Sequence, residues 1–186
     1  MAKKQKPSAA AMELAARRES YDWILSILTA LILCIFAFLC VFRVIDVSGD
    51  SMNRTLIDEE KMLVSGLFYK PKPGDIVIFK TDHYDPYKAL VKRVIAVEGQ
   101  VVKIDDKEGV VYVDDVPETY VDIPTTTKKD FIGPWTVPDG CVFVMGDNRN
   151  ASTDSRNKNI GNIDEREIIG KVYAVIYPFG NLRWVK

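Results

Sequence analysis

WILSILTALILCIFAFLCVF, residues 23–42, runs for twenty residues without a charge. A helix rises ~1.5 Å per residue, so this stretch covers the ~30 Å hydrocarbon core of a bilayer. Two other readings compete. A helix buried in a soluble core usually keeps a polar stripe. A cleaved signal peptide has an apolar region of ~7–15 residues followed by a small-residue cleavage site, whereas this run is longer and ends in Val41-Phe42-Arg43. Length and lack of charge together favour a retained membrane span.

The flanks give the span a direction. Lys3, Lys4, Lys6, Arg17 and Arg18 precede it, while residues 43–62 hold Arg43, Arg54 and Lys61 among several acids. An excess of Lys and Arg marks the cytoplasmic side. The expected layout is a cytoplasmic segment at 1–20, a single-pass transmembrane anchor at 21–42, and an extracytoplasmic domain at 43–186. Residues 1–20 are dominated by Lys, Ala and Ser with little to bury, and are expected to be disordered or weakly helical.

After Phe42 the texture changes to short β-branched runs divided by turns. VIDVS, KMLVS, DIVIFK, ALVKRVIAVEG, VVKID, VVYVDD, CVFVMG and KVYAVIYPF are rich in Val, Ile, Tyr and Phe and bounded by Gly, Pro and Asp, which is the strand signature. Pro71 and Pro73 donate no ladder hydrogen bond, so Pro71-Lys72-Pro73-Gly74 reads as a loop. Residues 115–140 are looser, with Pro117, Pro124 and Pro134, and read as a surface excursion. The predicted fold class is mainly β: one N-terminal transmembrane helix followed by an antiparallel, barrel-like domain.

Composition excludes several functions. The net charge is −1 with 27% charged residues, so there is no overall basic signal for nucleic acid. Cys34 and Cys40 lie inside the apolar run, leaving Cys141 alone in the exported part. An intramolecular disulfide there is excluded, no CxxC spacing exists, and a packed strand thiol is the favoured reading of Cys141. The single histidine, His83 in TDHYDPY, sits in a turn-like segment and reads as an ordinary loop residue. No metal or other cofactor is expected, since zinc needs three or four suitably spaced ligands.

Three segments hold candidate chemistry. In VSGDSMNRTL, residues 47–56, a turn at Gly49-Asp50 presents the Ser51 hydroxyl and its own N–H, although Gly-Asp-Ser is also plain turn chemistry. In KALVKRVIAVEG, residues 88–99, Lys92 interrupts an apolar strand. Period-two alternation sets Leu90, Lys92 and Val94 on one face and Val91, Arg93 and Ile95 on the other. An edge strand carrying protective charges would look the same. A buried lysine would instead disfavour its ammonium form and fall well below ~10.4, allowing its amine to accept a proton from serine. MGDNRNASTDSR, residues 145–156, reads as an elaborate loop that concentrates hydroxyls and opposite charges.

In order, the membrane anchor, SGDSM, FYKPKPGDIVIF, VKRVIAVEG and GDNRNASTDSR resemble the successive sequence boxes of bacterial type I signal peptidases, over nearly all of residues 20–186 and including IGNIDEREIIGKV. Size and single anchor look like the shorter Gram-positive-type members. The resemblance implies a serine endopeptidase with Ser51 as nucleophile and Lys92 as general base. It makes Ser152 the serine whose hydroxyl orients that lysine, and Arg93, Asp147, Asp154 and Arg156 charged braces. Val47, Met52, Leu56, Leu90 and Val91 match positions lining the substrate pockets. Substrates would be exported preproteins with Ala at the first and third positions before the cut. The lipid bilayer and the protein-export channel would be the other partners.

Two departures stand out. The family commonly has proline where this chain has Arg54. The position two residues before the nucleophile, which in some members supplies an oxyanion-hole hydroxyl, is Gly49 here. The Ser51 N–H is then the main expected donor, with Gly49 backbone as a second candidate; loss of one such donor costs ~3–4 kcal/mol elsewhere. Ser51 follows Phe42 by nine residues, a tether of at most ~30 Å at ~3.3 Å per extended residue, which keeps the reaction near the membrane boundary. The rival functions are a self-cleaving repressor-like protease, which the membrane run argues against, and a non-catalytic anchored β domain that binds exported peptides.

Overall fold

A computed structural model describes residues 9–81, 88–105, 107–122, 124–125 and 134–185. The chain divides into Met1–Val41 and Phe42–Lys186. The first unit is α1, Ala9–Val41. It begins upstream of the apolar run because Ala, Met, Leu, Glu and Arg are strong helix formers, and Arg17 Nη2 lies 3.0 Å from Glu13 one turn away. Trp23, Leu31 and Phe36 are exposed, and the helix is long and apolar enough to cross a membrane. The hydroxyls of Ser26 and Thr29 donate to the carbonyls of Asp22 and Leu25 at 2.7 and 2.8 Å. Those polar atoms are therefore satisfied inside the helix, as a lipid-facing segment requires.

The second unit is built of β-strands. In chain order they are β1 (Arg43–Asp46), β2 (Lys61–Ser65), β3 (Ile76–Phe79), β4 (Leu90–Val97), β5 (Val101–Ile104) and β6 (Val111–Val113). β7 (Val116–Pro117), β8 (Trp135–Thr136), β9 (Cys141–Met145), β10 (Ile163–Asp164), β11 (Ile168–Tyr177) and β12 (Arg183–Trp184) complete the set among the described residues. The main sheet runs β1-β2-β11-β3-β4-β9-β10, with β12 added to β11, and a smaller sheet runs β7-β6-β5-β8. Every pairing among the described residues is antiparallel. The expected mainly β class holds: one N-terminal apolar helix, then in the chain a curled antiparallel sheet.

The eight strand runs read from the sequence each overlap an observed strand. The four that carry no advance signal, β7, β8, β10 and β12, are two residues long, too short for alternation to register. β7 and β8 lie within residues 115–140, so that excursion supplies both edges of the small sheet. Pro117 is tolerated in β7 because an edge strand leaves one side without a ladder partner. His83 lies outside the described residues. Cys141 is half-buried in β9; burial, then the nearby Asp164 and Glu167 carboxylates, push its thiol up.

β4 occupies the interior of the main sheet, between β3 and β9. Val77 lies opposite Lys92 on one side, and Arg93 lies opposite Met145 on the other. The edge-strand alternative for Lys92 is thereby overturned. Lys92 and Arg93 are only 2% and 3% exposed, because sheet and loops close over both. Val94 packs with Val77, Phe79 and Val144, whereas Val91 packs with Ile76, Ile78 and Met52, as the period-two reading requires.

The C-terminal strand is latched beside the loop that follows β1. Arg183 donates to both Glu60 carboxylate oxygens at 2.7 Å and to the Thr55 carbonyl at 2.7 Å. Burial alone would raise the Glu60 pKa, but the Arg183 guanidinium and the Ile57 N–H outweigh it and hold the carboxyl below its ordinary value. The latch is therefore complete above the unfolded carboxylate value of ~4.3 and is lost as pH falls through the lower folded value. Arg183→Ala is expected to destabilise the full chain in detergent by about 2 kcal/mol at neutral pH, measured by urea unfolding. The gap to wild type should close in acid; a gap independent of pH would exclude the pairing.

Candidate active site

Lys92 and Ser51 are 41 positions apart in sequence, yet the Lys92 Nζ lies 2.7 Å from the Ser51 Oγ. It also donates to the Val91 carbonyl at 2.9 Å. Both of these partners are neutral oxygens. β4 holds the lysine's backbone rigidly, and the second hydrogen bond aims its amine at the serine.

Ser51 sits in a compact turn. Gly49, at φ +89°, takes the left-handed conformation that L side chains resist, and its N–H donates to the Asp58 carboxylate at 2.8 Å. The Asn53 N–H donates to the Asp50 carbonyl at 3.0 Å, and the Leu56 N–H to the Met52 carbonyl at 2.9 Å. Met52 and Leu56, both buried, anchor the turn in the core. Arg54 lies at φ +93°. A proline ring fixes φ near −65°, so the proline common at this position elsewhere would not fit this turn.

The segment 145–156 is stitched onto the Ser51 turn from the other side. The Asn148 N–H donates to the Ser51 carbonyl at 3.0 Å, and its side-chain amide to the Asp50 carbonyl at 3.0 Å. Gly146 is required by close approach: a Cβ there would come within 2.2 Å of the Ser152 Oγ and 2.5 Å of the Ser51 carbonyl oxygen. Ser152, 3% exposed, thus lies against the same glycine as the Ser51 backbone, and its hydroxyl helps to hold the Asp154 carboxyl down.

Two buried Arg–Asp pairs brace this arrangement. Arg93 grips Asp147 with Nε–Oδ1 at 2.9 Å and Nη2–Oδ2 at 2.7 Å, and its Nη1 donates to the Gly74 carbonyl at 2.7 Å. Thr55, in the Ser51 turn, donates its hydroxyl to the same Asp147 carboxylate. Arg156 grips Asp154 with Nε–Oδ1 at 2.8 Å and Nη2–Oδ2 at 2.7 Å, while Asp154 also accepts from the Gly146 N–H at 3.0 Å. Burial would raise the Asp154 pKa; the Arg156 guanidinium, with the Gly146 N–H and Ser152 hydroxyl, overrides it and keeps the carboxyl below its ordinary value.

A cleft of about 200 Å³ opens beside the pair, lined by Val47, Met52, Leu90 and Val91 together with Ser48, Ala151 and Thr153. Leu56, predicted to line the pockets, is instead fully buried in the core packed with Met52. The Ser51 N–H makes no intramolecular hydrogen bond among the described residues. Gly49, the second candidate oxyanion donor, has its N–H committed to Asp58 and does not offer it to the cleft. Thr55, Asn148 and the buried ion pair of Arg149 with Glu118 carry no local sequence signal. Each lies in a polar turn or loose segment where only the tertiary fold reveals its partner.

Asp154→Asn removes a carboxylate that three groups address. It leaves the Arg156 guanidinium buried without its counter-charge, at a cost of about 3 kcal/mol. Because folding lowers the Asp154 pKa, that stabilisation is present above ~3.9 and lost as pH falls through the folded value. Urea unfolding of the full-length protein should show the deficit at pH 7 and a smaller one in acid. An unchanged midpoint at pH 7 would mean that the pair does not hold the loop.

Residues 20–177 match the family model described as signal peptidase, peptidase S26. A signal peptidase I of Bacillus licheniformis is 34% identical, with 88% of this chain and 91% of that one covered. A signal peptidase IB of Staphylococcus aureus (strain MRSA252) is 30% identical, covering 90% and 95%. A crystal structure of a signal peptidase I from Enterococcus faecalis V583 superposes with a TM-score of 0.44 at 26% identity, covering 55% of this chain and 97% of that one. The chain belongs to the signal peptidase family, peptidase S26, a family of serine endopeptidases.

Proposed function

We propose that this signal peptidase cleaves preproteins through a Ser51–Lys92 dyad and an acyl-enzyme, after small residues in an Ala-X-Ala pattern. The observation that carries the dyad is the 2.7 Å contact between a hydroxyl and an amine belonging to a residue 2% exposed. Burial favours the uncharged amine over the ammonium. A lone pair on Lys92 Nζ then accepts the Ser51 proton as Oγ attacks the scissile carbonyl carbon. The tetrahedral oxyanion forms within reach of the Ser51 N–H. Collapse breaks the C–N bond, and the Lys92 ammonium returns its proton to the departing amine. The neutral lysine next takes a proton from water as it attacks the acyl carbon; the Ser51 Oγ–C bond breaks, Lys92 returns that proton to Oγ, and the signal peptide leaves with a new carboxylate.

Substrate geometry follows from β4. Its pairing with β9 begins at Arg93, while its pairing with β3 begins at Leu90. The backbone of Leu90 and Val91 is therefore open on one side, toward the cleft. An extended peptide adding there as a strand alternates its side chains. Its first and third residues before the cut face the cleft walls of Val47, Met52, Leu90 and Val91, and the second faces away. A cavity of about 200 Å³ shared by two such side chains suits alanine.

In this reading residues 1–20 lie in the cytoplasm, 21–42 cross the cell membrane once, and 43–186 act outside it. The bilayer and the protein-export channel are its neighbours. The length and apolarity of α1 and the five basic residues before residue 21 support this. Full-length protein in detergent is expected to cleave an Ala-X-Ala preprotein. Ser51→Ala, Lys92→Ala and Lys92→Arg should each reduce kcat/KM by ~10³-fold or more. Arginine stays protonated and cannot serve as the base. Full activity in any of the three, or saturable preprotein binding without turnover by the wild type, would refute the dyad.

A further inference from the structure

Glu118 follows β7 at the edge of the small sheet, on an element the dyad does not use. Its side chain is 2% exposed and its Oε2 lies 2.6 Å from Nη2 of Arg149, itself 1% exposed. The carboxylate also accepts the Tyr120 N–H at 2.5 Å, and the Glu118 N–H donates to the Val111 carbonyl at 2.8 Å. Glu118 is thus fixed to β6 by its own backbone, and its carboxylate points into the active-site loop. The Arg149 Nε is buried without an acceptor among the described residues, so Glu118 is the counter-charge on which burial of that guanidinium depends.

Arg149 is a sensitive place to pull. It directly follows Asn148, whose N–H and side-chain amide hold the carbonyls of Ser51 and Asp50 at 3.0 Å. Its own carbonyl accepts from Arg156 Nη2 at 2.6 Å, and Arg156 in turn holds Asp154. Two residues on from Glu118, Tyr120 stacks over the Arg93 guanidinium at 5.6 Å and crowds Gly74, where a Cβ would lie 2.9 Å from its ring. The segment 118–120 therefore touches both braces of the site, one through Arg149 and one through Arg93.

We infer that Glu118 is a positioning residue for catalysis: through Arg149 it locks the Asn148 backbone that sets the height of Ser51 against Lys92. The inference rests on the Ser51–Lys92 reading. Removing the carboxylate frees the Asn148–Arg149 turn and shifts Ser51, while Val47, Leu90 and Val91, which line the cleft opposite Ala151 and Thr153, keep their places. Misplacement by about 1 Å costs ~100-fold in rate. The loss should fall on kcat, with KM changed by no more than about twofold.

The test compares full-length wild type, Glu118→Gln, Glu118→Asp and the doubly neutral Glu118→Gln/Arg149→Met in detergent, with Ser51→Ala and Lys92→Ala alongside. Steady-state cleavage and thermal unfolding are measured on each. Glu118→Gln is expected to lose ~100-fold in kcat, and Glu118→Asp to recover part of it. The double variant carries no unpaired buried charge, so it should regain wild-type thermal stability and still lack kcat. Wild-type kcat in the double variant would show that Glu118 only neutralises a buried charge, and would overturn the inference, as would a loss confined to KM. If Ser51→Ala or Lys92→Ala is fully active, the dyad itself fails, whatever Glu118 does.

Discussion

Taking an ammonium ion out of water costs several kcal/mol unless a counter-charge meets it. Lys92 is 2% exposed, and its hydrogen bonds to Ser51 and Val91 are made to neutral oxygens. The arginines around it are held by carboxylates. Arg93, Arg149 and Arg156 are as deeply buried, and each has a carboxylate within 2.7 Å. An arginine cannot shed its proton and must be paired; a lysine can, and losing the proton is what makes it a base. The same dry interior holds ion pairs at three positions, and the proposed mechanism uses the fourth as a neutral amine.

Holding an amine against an alcohol requires rigidity from both sides. β4 supplies it for Lys92 by lying inside the sheet. Ser51 lies in a turn, and a turn by itself is mobile, so its position is fixed from outside. Asn148 holds its carbonyl, Thr55 ties the turn to Asp147, Gly49 is held by Asp58, and Arg183 clamps Thr55 and Glu60. These contacts come from elements far apart in the chain. The charged braces are what fixes Ser51 in place on a loop.

Much of this was legible in the residues. Alternation of branched apolar side chains located the longer strands, since that pattern reflects one face packed on a core. Lys92 announced itself as a charge among Leu90, Val91, Val94 and Ile95. What sequence could not decide was whether β4 lay inside the sheet or at its edge, because burial depends on which strands arrive from elsewhere. The same limit hid Glu118, which is one acid in a loose polar stretch until Arg149 is placed against it. It also could not place Leu56, a residue close enough to Ser51 to suggest a pocket wall but fully buried in the core beside Met52. Pairwise tertiary contacts leave no trace in a single chain's local pattern.

The most direct measurement of the central claim is the pH dependence of kcat/KM for preprotein cleavage by the full-length protein in detergent. With Lys92 as an uncharged base, activity should rise through the pKa of a single essential group lying well below the ~10.4 of a free lysine. A rate that keeps climbing until a group near ~10.4 loses its proton would show that Lys92 is charged at working pH, and would contradict the mechanism.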